Sequence, residues 1–458
     1  MSLPSRRSLA EARIALGSFD RFLVLYGTMF AAFGVASPFL PALLHERGLG
    51  PSEIGAVLAA GTAVRLITGP VISRLADRLG KHRQTLTVLL STAAVIAFGY
   101  GLPAGFGIFL LVSVAHASTL APIVPIADAM TLAAAPGRFQ YGWVRGGASA
   151  AFVVGAAGAG QVVQATNLRG IVWMNGTLLA LAAVAALWLP RNALDRPLAP
   201  RQANVRALFA APGFLPLMAL AALVMSSHAL HDGFEVLRWE DGGIGPGAAG
   251  LLWSEGVLAE VVVFVVVGPT LLRWLGPAGS AALAACAGIV RWSVTAVTAW
   301  LPAMALVEPL HGLTFALLHL ACMQMLSVIV PPALAATAQG IYGGVAVGTM
   351  TAIMTLVAGP LYGALGPRAF WVMALLCAAA LPIAFAMRGI SINIRVESDP
   401  AGASVVGCAH SGRLLSTLSS HASGHSSRSA CDGGCQIRGS SICARATART
   451  SGMRPITR

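Results

Sequence analysis

The chain has 458 residues, 56% hydrophobic and 10% charged, and its 30 lysines and arginines against 17 acidic residues give a formal net charge of +13. Soluble chains carry about 25% charged residues, so a soluble globular domain is excluded, and apolar runs without period-two alternation exclude a transmembrane β-barrel. The cations sit between apolar runs rather than on one soluble face, a pattern that orients membrane helices and argues against a nucleic-acid partner.

The N-terminal segment 1–21 carries Arg6, Arg7, Arg13 and Arg21 but no short apolar core followed by a small-residue cleavage site, so the first apolar run is read as a retained helix. A transmembrane helix needs about 20 predominantly apolar residues. On that measure twelve spans follow, with approximate limits 22–44, 52–73, 84–103, 106–133, 141–165, 168–190, 212–236, 247–272, 277–300, 302–326, 332–364 and 367–388. The polar break after Pro190 divides them into a first half, 22–190, a central loop, 191–211, and a second half, 212–388. Gly69-Pro70 near the end of the second span and Gly268-Pro269 near the end of the eighth mark corresponding places in the two halves, as in transporters built from repeats. The expectation is an all-α integral membrane protein, twelve transmembrane helices in two six-helix halves.

Arg74, Arg78, Lys81, Arg83, Arg138, Arg191, Arg196, Arg201, Arg206 and Arg273 fall on one side of such a topology, and Arg47, Arg169, Arg238 and Arg368 on the other. The richer side is the cytoplasmic one, which puts both termini in the cytoplasm. From residue 389 onward Ser, Gly, Arg, His and Cys replace the apolar runs, consistent with a disordered tail or with translation past a frameshift. Cys431, Cys435 and Cys443 with His421 or His425 do not reproduce a closed four-ligand zinc spacing, so no metal is expected.

Ionisable residues inside a span are expensive there and are functional candidates by default. They are Arg65, His116, Asp128, Arg145, Glu255, Glu260, Arg291, Glu308, His311 and His319. Asp128 and Arg145 flank one short connector and can pair, as a lock or as a substrate site; a buried arginine such as Arg145 or Arg291 suits a carboxylate. Glu260 lies deeper than Glu255 and is preferred as a proton carrier. Glu308, His311 and His319 are spaced to share one helical face, and Glu308 with His311 reads as a proton relay. No His-Glu-x-x-His, Gly-x-Ser-x-Gly or phosphate loop is present, so neither an enzyme nor a cofactor is indicated.

Between the second and third spans, Asp77, Arg78, Gly80, Lys81 and Arg83 resemble the Gly-x-x-x-Asp-Arg-x-Gly-Arg-Arg loop of major facilitator superfamily transporters, with Ser73 in place of the leading glycine. Asp128, Tyr141-Gly-x-Val-Arg145, Leu252-Trp253, Gly256-Val-Leu-Ala-Glu260, Arg291-Trp292 and Leu310-His311-Gly-Leu-Thr-Phe315 together resemble the phenylpropionate permease group, related in style to lactose permease and nucleoside proton symporters. The likeness covers about residues 20–388. It departs at Arg145-Gly146-Gly147-Ala148-Ser149, where the group continues Leu-Trp-Gly-Ser, and at residues 231–241, which are unusually charged. The resemblance implies proton symport of a small organic acid by alternating access, with the cavity between the halves. The expected partners are a small-molecule substrate, protons and membrane lipid, for a monomer in a bacterial inner membrane. The rivals are sugar or nucleoside symport, proton-antiport efflux and, more remotely, a non-transporting receptor.

Overall fold

The computed structural model describes residues 6–190, 206–331 and 334–389, and among these every regular element is helical. Expectations that fall on residues 1–5, 191–205, 332–333 (the start of the expected eleventh span) and 390–458 lie outside the described residues. The first pass is α1 (Arg6–Glu46) and the second α2 (Pro51–Leu79). Their turn uses Gly48 at φ 87° and Pro51 at the start of α2, and the Gly50 N–H donates to the Glu53 carboxylate at 2.9 Å, satisfying an otherwise orphaned end group. The third pass is α3 (His82–Ala97), which tightens into a 3-10 turn at Phe98–Gly101. The fourth joins α4 (Phe106–Leu120) to α5 (Ile123–Ala134) across Pro122, and α6 (Tyr141–Ala165) and α7 (Arg169–Leu187) complete the first half.

After the short α8 (Arg206–Ala210), the seventh pass joins α9 (Phe214–Ser226) to α10 (Ala229–Asp241). Then come α11 (Pro246–Val262), a π-helical turn at Val263–Val267, and α12 (Gly268–Val297). The tenth pass runs α13 (Leu301–Val307), a 3-10 turn at Glu308–Leu310, a π turn at Leu313–Leu317, and α14 (Leu318–Ile329). Last are α15 (Ala335–Gly340), a π turn at Ile341–Gly348, α16 (Thr349–Leu365) and α17 (Phe370–Ala386).

Ten stretches are long and apolar enough to cross a membrane, but Pro246–Val297 has 52 residues and Thr337–Ala386 has 50. At about 1.5 Å per residue each is more than twice the roughly 30 Å of a bilayer core. Each folds back at a glycine held at positive φ, Gly276 at 70° and Gly366 at 55°, so twelve membrane-length passes result.

The packing is uneven along the bundle. At the end nearer the N-terminus the first half has its own core, built on Phe22, Tyr26, Leu90, Ile126 and Leu179. Toward the other end a second core continues from the C-terminal half into Phe39, Ile54, Phe109 and Ala156 of the first. There α2 meets α16 and α6 meets α11, backbone against backbone. A Cβ added at Gly55 would stand 2.9 Å from the Gly359 Cα, and one at Gly160 would stand 2.6 Å from the Pro246 carbonyl and 3.0 Å from the Gly250 Cα. The Gly247 N–H donates to the Gln164 carboxamide at 3.0 Å, and Ser254 Oγ donates to the Val153 carbonyl at 2.9 Å, fastening the same contact. The two halves are thus joined at the end away from the N-terminus.

One expectation changes. Asp77 and Arg78, read as loop residues, lie in the last turn of α2, and the connector is only Gly80 and Lys81 because Gly80 adopts φ 62° and closes the helix at once.

Candidate functional site

Two adjoining cavities lie between the halves, of about 610 and 410 Å³. Ser37, Thr62, Phe152, Asp232 and Thr351 line both. The smaller is walled by His228, His231, Glu260, Glu308 and His311, and the larger holds Arg65, Tyr100, His116 and Asn175. Pockets of a few hundred Å³ with apolar walls and a few polar groups are what small-ligand sites look like.

The charged cluster behind the smaller cavity is built by irregular helix. Pro309 cannot donate a backbone hydrogen bond, and the tenth pass tightens there into the 3-10 turn holding Glu308, then loosens into the π turn at Leu313–Leu317. Gly312 lets α11 approach, since a Cβ there would stand 2.6 Å from the Ala259 carbonyl. Together these turn Glu308 and His311 toward Arg291. Arg291 Nη2 donates to Glu308 Oε2 at 2.7 Å, with the two side chains 0% and 1% exposed, and its guanidinium lies 4.5 Å over the Trp292 ring.

Arg291 Nη1 is 3.1 Å from His311 Nδ1. Arginine can only donate, so His311 Nδ1 accepts and the ring's proton sits on Nε2. That Nε2 lies 3.6 Å from Glu260 Oε2, an ion-pairing distance just beyond a hydrogen bond. His231 Nε2 stands 3.6 Å from the same Glu308 oxygen, and His231 Nδ1 is 3.1 Å from Asp232 Oδ1. His231 also stacks on Trp253 with centroids 4.5 Å apart. A chain of titratable groups therefore runs from Asp232 through His231, Glu308, Arg291 and His311 to Glu260, and both of its ends face the cavities.

Asp128 and Arg145 form a separate group on the first half. Tyr26 Oη donates to Asp128 Oδ1 at 2.5 Å, and Thr131 Oγ1 donates to Tyr26 Oη at 3.2 Å. Arg145 Nη1 is 4.0 Å from Asp128 Oδ1, makes no hydrogen bond, and its guanidinium sits 5.0 Å over the Phe30 ring. It is also within electrostatic range of Glu260. Across the connector after α2, His82 Nε2 at the start of α3 meets Asp77 Oδ1 in the last turn of α2 at 2.8 Å. Arg83 Nη1 donates to the Leu187 and Leu189 carbonyls at 3.1 and 3.2 Å, and Arg21 Nη1 to the Trp188 carbonyl at 3.1 Å, so two cations cap the C-terminal end of α7.

Of the residues read from sequence, Glu260, Arg291, Glu308 and His311 are brought into one cluster. Asp128 and Arg145 are brought together elsewhere. His319 does not join the stripe expected of it: the intervening π turn shifts the helical register, and its ring packs near Phe264 and Tyr342. Sequence reasoning missed His228, His231, Asp232 and Glu235 as a site. Their spacing of i, i+3, i+4 and i+7 is the signal that would have found them, since it puts all four on one face of a helix. His228 Nε2 meets Thr314 Oγ1 at 2.9 Å, and Glu235 is fully buried with neither carboxylate oxygen hydrogen-bonded.

Compared with known proteins, residues 21–373 match the model of the MFS_1 like family. The chain is 32% identical over 371 residues to a protein of Escherichia coli (strain K12) described as a probable 3-phenylpropionic acid transporter, covering 80% of this chain and 96% of that one. It is 24% identical over 324 residues to the uncharacterized transporter YwbF of Bacillus subtilis (strain 168), covering 69% and 80%. The crystal structure of the nucleoside transporter NupG is similar in fold, with a TM-score of 0.69 at 15% identity over 81% of this chain and 98% of that one.

Proposed function

Because the chain belongs to the MFS_1 like family of membrane transporters, we propose that it imports a small organic acid together with protons, by alternating access. The 3-phenylpropionic acid named for the E. coli relative sets the substrate class: an aromatic ring on a short chain ending in a carboxylate. The halves 22–190 and 212–388 move against each other, with 191–211 linking them on the cytoplasmic side of a bacterial inner membrane. Both termini are cytoplasmic in this reading, in keeping with the distribution of arginines, and the protein works as a monomer.

The observation that carries the proton step is the 3.6 Å approach of His311 Nε2 to Glu260 Oε2. It couples a carboxylate on the cavity wall to the buried Arg291–Glu308 pair. Proton arrival at Glu260 removes one negative charge from the wall, and an anionic substrate then restores it. Proton and substrate together leave the wall with the charge it had when empty, so the cavity can close without sealing in an extra unpaired charge. Arg145, loosely held by Asp128 and within range of Glu260, supports this reading as the cation that follows the change. Asp77, Arg78, Gly80, Lys81 and Arg83 act at a distance, by holding the ends of α2, α3 and α7 as one body while the half moves.

The test is uptake of radiolabelled 3-phenylpropionate, with a panel of sugars and nucleosides beside it, into proteoliposomes under an imposed inward proton gradient. Gradient-driven accumulation that collapses on adding a protonophore is expected for the acid. Gradient-driven extrusion of preloaded acid or dye, with no uptake, would replace import by efflux.

A further inference from the structure

Arg65 lies midway along α2, projects into the larger cavity and is exposed to it. Among the described residues it takes part in no ion pair, unlike Arg291 with Glu308 and Arg145 with Asp128. A cation held in mid-membrane without a carboxylate partner is costly unless its counter-charge arrives from outside the chain. A second observation points the same way. His116 lines the same cavity, is 6% exposed, and its Nε2 has no hydrogen-bond partner. Its ring meets Tyr100 edge-on, with centroids 5.7 Å apart, and both residues are within electrostatic range of Arg65.

We infer that Arg65 binds the carboxylate of the transported acid, with His116 Nε2 beside it and the aromatic walls of Phe33 and Phe152 against the acid's hydrocarbon portion. This assignment rests on the organic-acid reading above and deepens it by moving the anion site away from Arg145 and Arg291, neither of which lines either of these two cavities. A planar guanidinium holds a carboxylate by two parallel hydrogen bonds, and a volume of about 610 Å³ admits a ligand of that size with water. Asp232, the carboxylate on the same wall, is engaged by His231 at 3.1 Å, which leaves the Arg65 side of the cavity to an incoming anion. Asp232 also lines the smaller cavity with Glu260, so an acid seated at Arg65 occupies a space continuous with the proton site.

The test is equilibrium binding of 3-phenylpropionate and of its uncharged analogue 3-phenylpropionamide to the purified full chain in detergent, for the parent, Arg65→Gln, Arg65→Lys and His116→Ala. The parent is expected to prefer the acid over the amide. Arg65→Gln should weaken acid binding by roughly ten- to a hundredfold, the range of a charge-assisted hydrogen bond, while leaving amide binding in place, so that the preference disappears. Arg65→Lys should keep part of the preference, which guards against a glutamine variant that fails to fold, and His116→Ala should reduce it. An Arg65→Gln protein that prefers the acid as strongly as the parent would overturn the assignment while leaving the organic-acid reading intact. A parent that binds no carboxylate, or binds acid and amide alike, would overturn both.

Discussion

Arg291 and Glu308 meet at 2.7 Å with both side chains essentially sealed from solvent. Removing one member strands a charge in a medium that cannot solvate it, a loss of about 3–5 kcal/mol, whereas replacing both by apolar groups of similar volume is often neutral. Arg291→Met and Glu308→Leu should each lower unfolding free energy in detergent by about that amount. The double variant should recover at least half of the summed loss, as read from a double-mutant cycle.

Asp128 is held by Tyr26 rather than by Arg145, since the phenol donates at 2.5 Å and the guanidinium stands off at 4.0 Å. Tyr26→Phe removes a hydrogen bond to a charged group and should cost about 1.5–3 kcal/mol. Arg145→Gln, breaking a half-exposed and loosely spaced pair, should cost under about 1 kcal/mol and reduce transport instead. Thermal unfolding of the two variants beside their uptake rates separates the roles.

The contacts of Gly55 with Gly359 and of Gly160 with Gly250 bring the two halves backbone to backbone at the end away from the N-terminus. Gly359→Leu overpacks that seam, at a cost of about 1–3 kcal/mol, which is roughly a five- to 150-fold shift of a two-state equilibrium toward the form open at that end. Ser37, on the wall of both cavities, replaced by cysteine in a background without other reactive thiols, reports it. Labelling by an impermeant thiol reagent from the side opposite the N-terminus should rise in Gly359→Leu and stay low with Gly359 in place.

The membrane architecture was legible because apolar run length is a direct physical requirement of the bilayer; the fifth span, expected at 141–165, is α6 (Tyr141–Ala165). Glu260, Arg291, Glu308 and His311 were legible for a related reason, since charge inside such a run is expensive. What escaped depends on local irregularity and on contacts between distant segments. His231, Asp232 and Glu235 fall inside the seventh span, expected at 212–236, but stood out only as part of the unusually charged stretch 231–241, because nothing in the pattern shows that the helix runs on to Asp241 and buries His231 and Glu235 against other passes. His319 was aligned by ideal periodicity across a π turn that no pattern announces. Gly55 and Gly359 are ordinary glycines in a chain of 51 until the two halves are placed together.

Glu260 stands where the buried network reaches the cavity, and Glu260→Gln keeps its shape while removing its ability to take up and release a proton. The most direct measurement is 3-phenylpropionate uptake by proteoliposomes holding this variant, with and without an imposed inward proton gradient, beside its exchange of labelled for unlabelled acid at equal concentrations. If Glu260 carries the coupled proton, the variant loses gradient-driven accumulation and retains exchange. Accumulation at the parent's level in Glu260→Gln would contradict proton coupling through this residue.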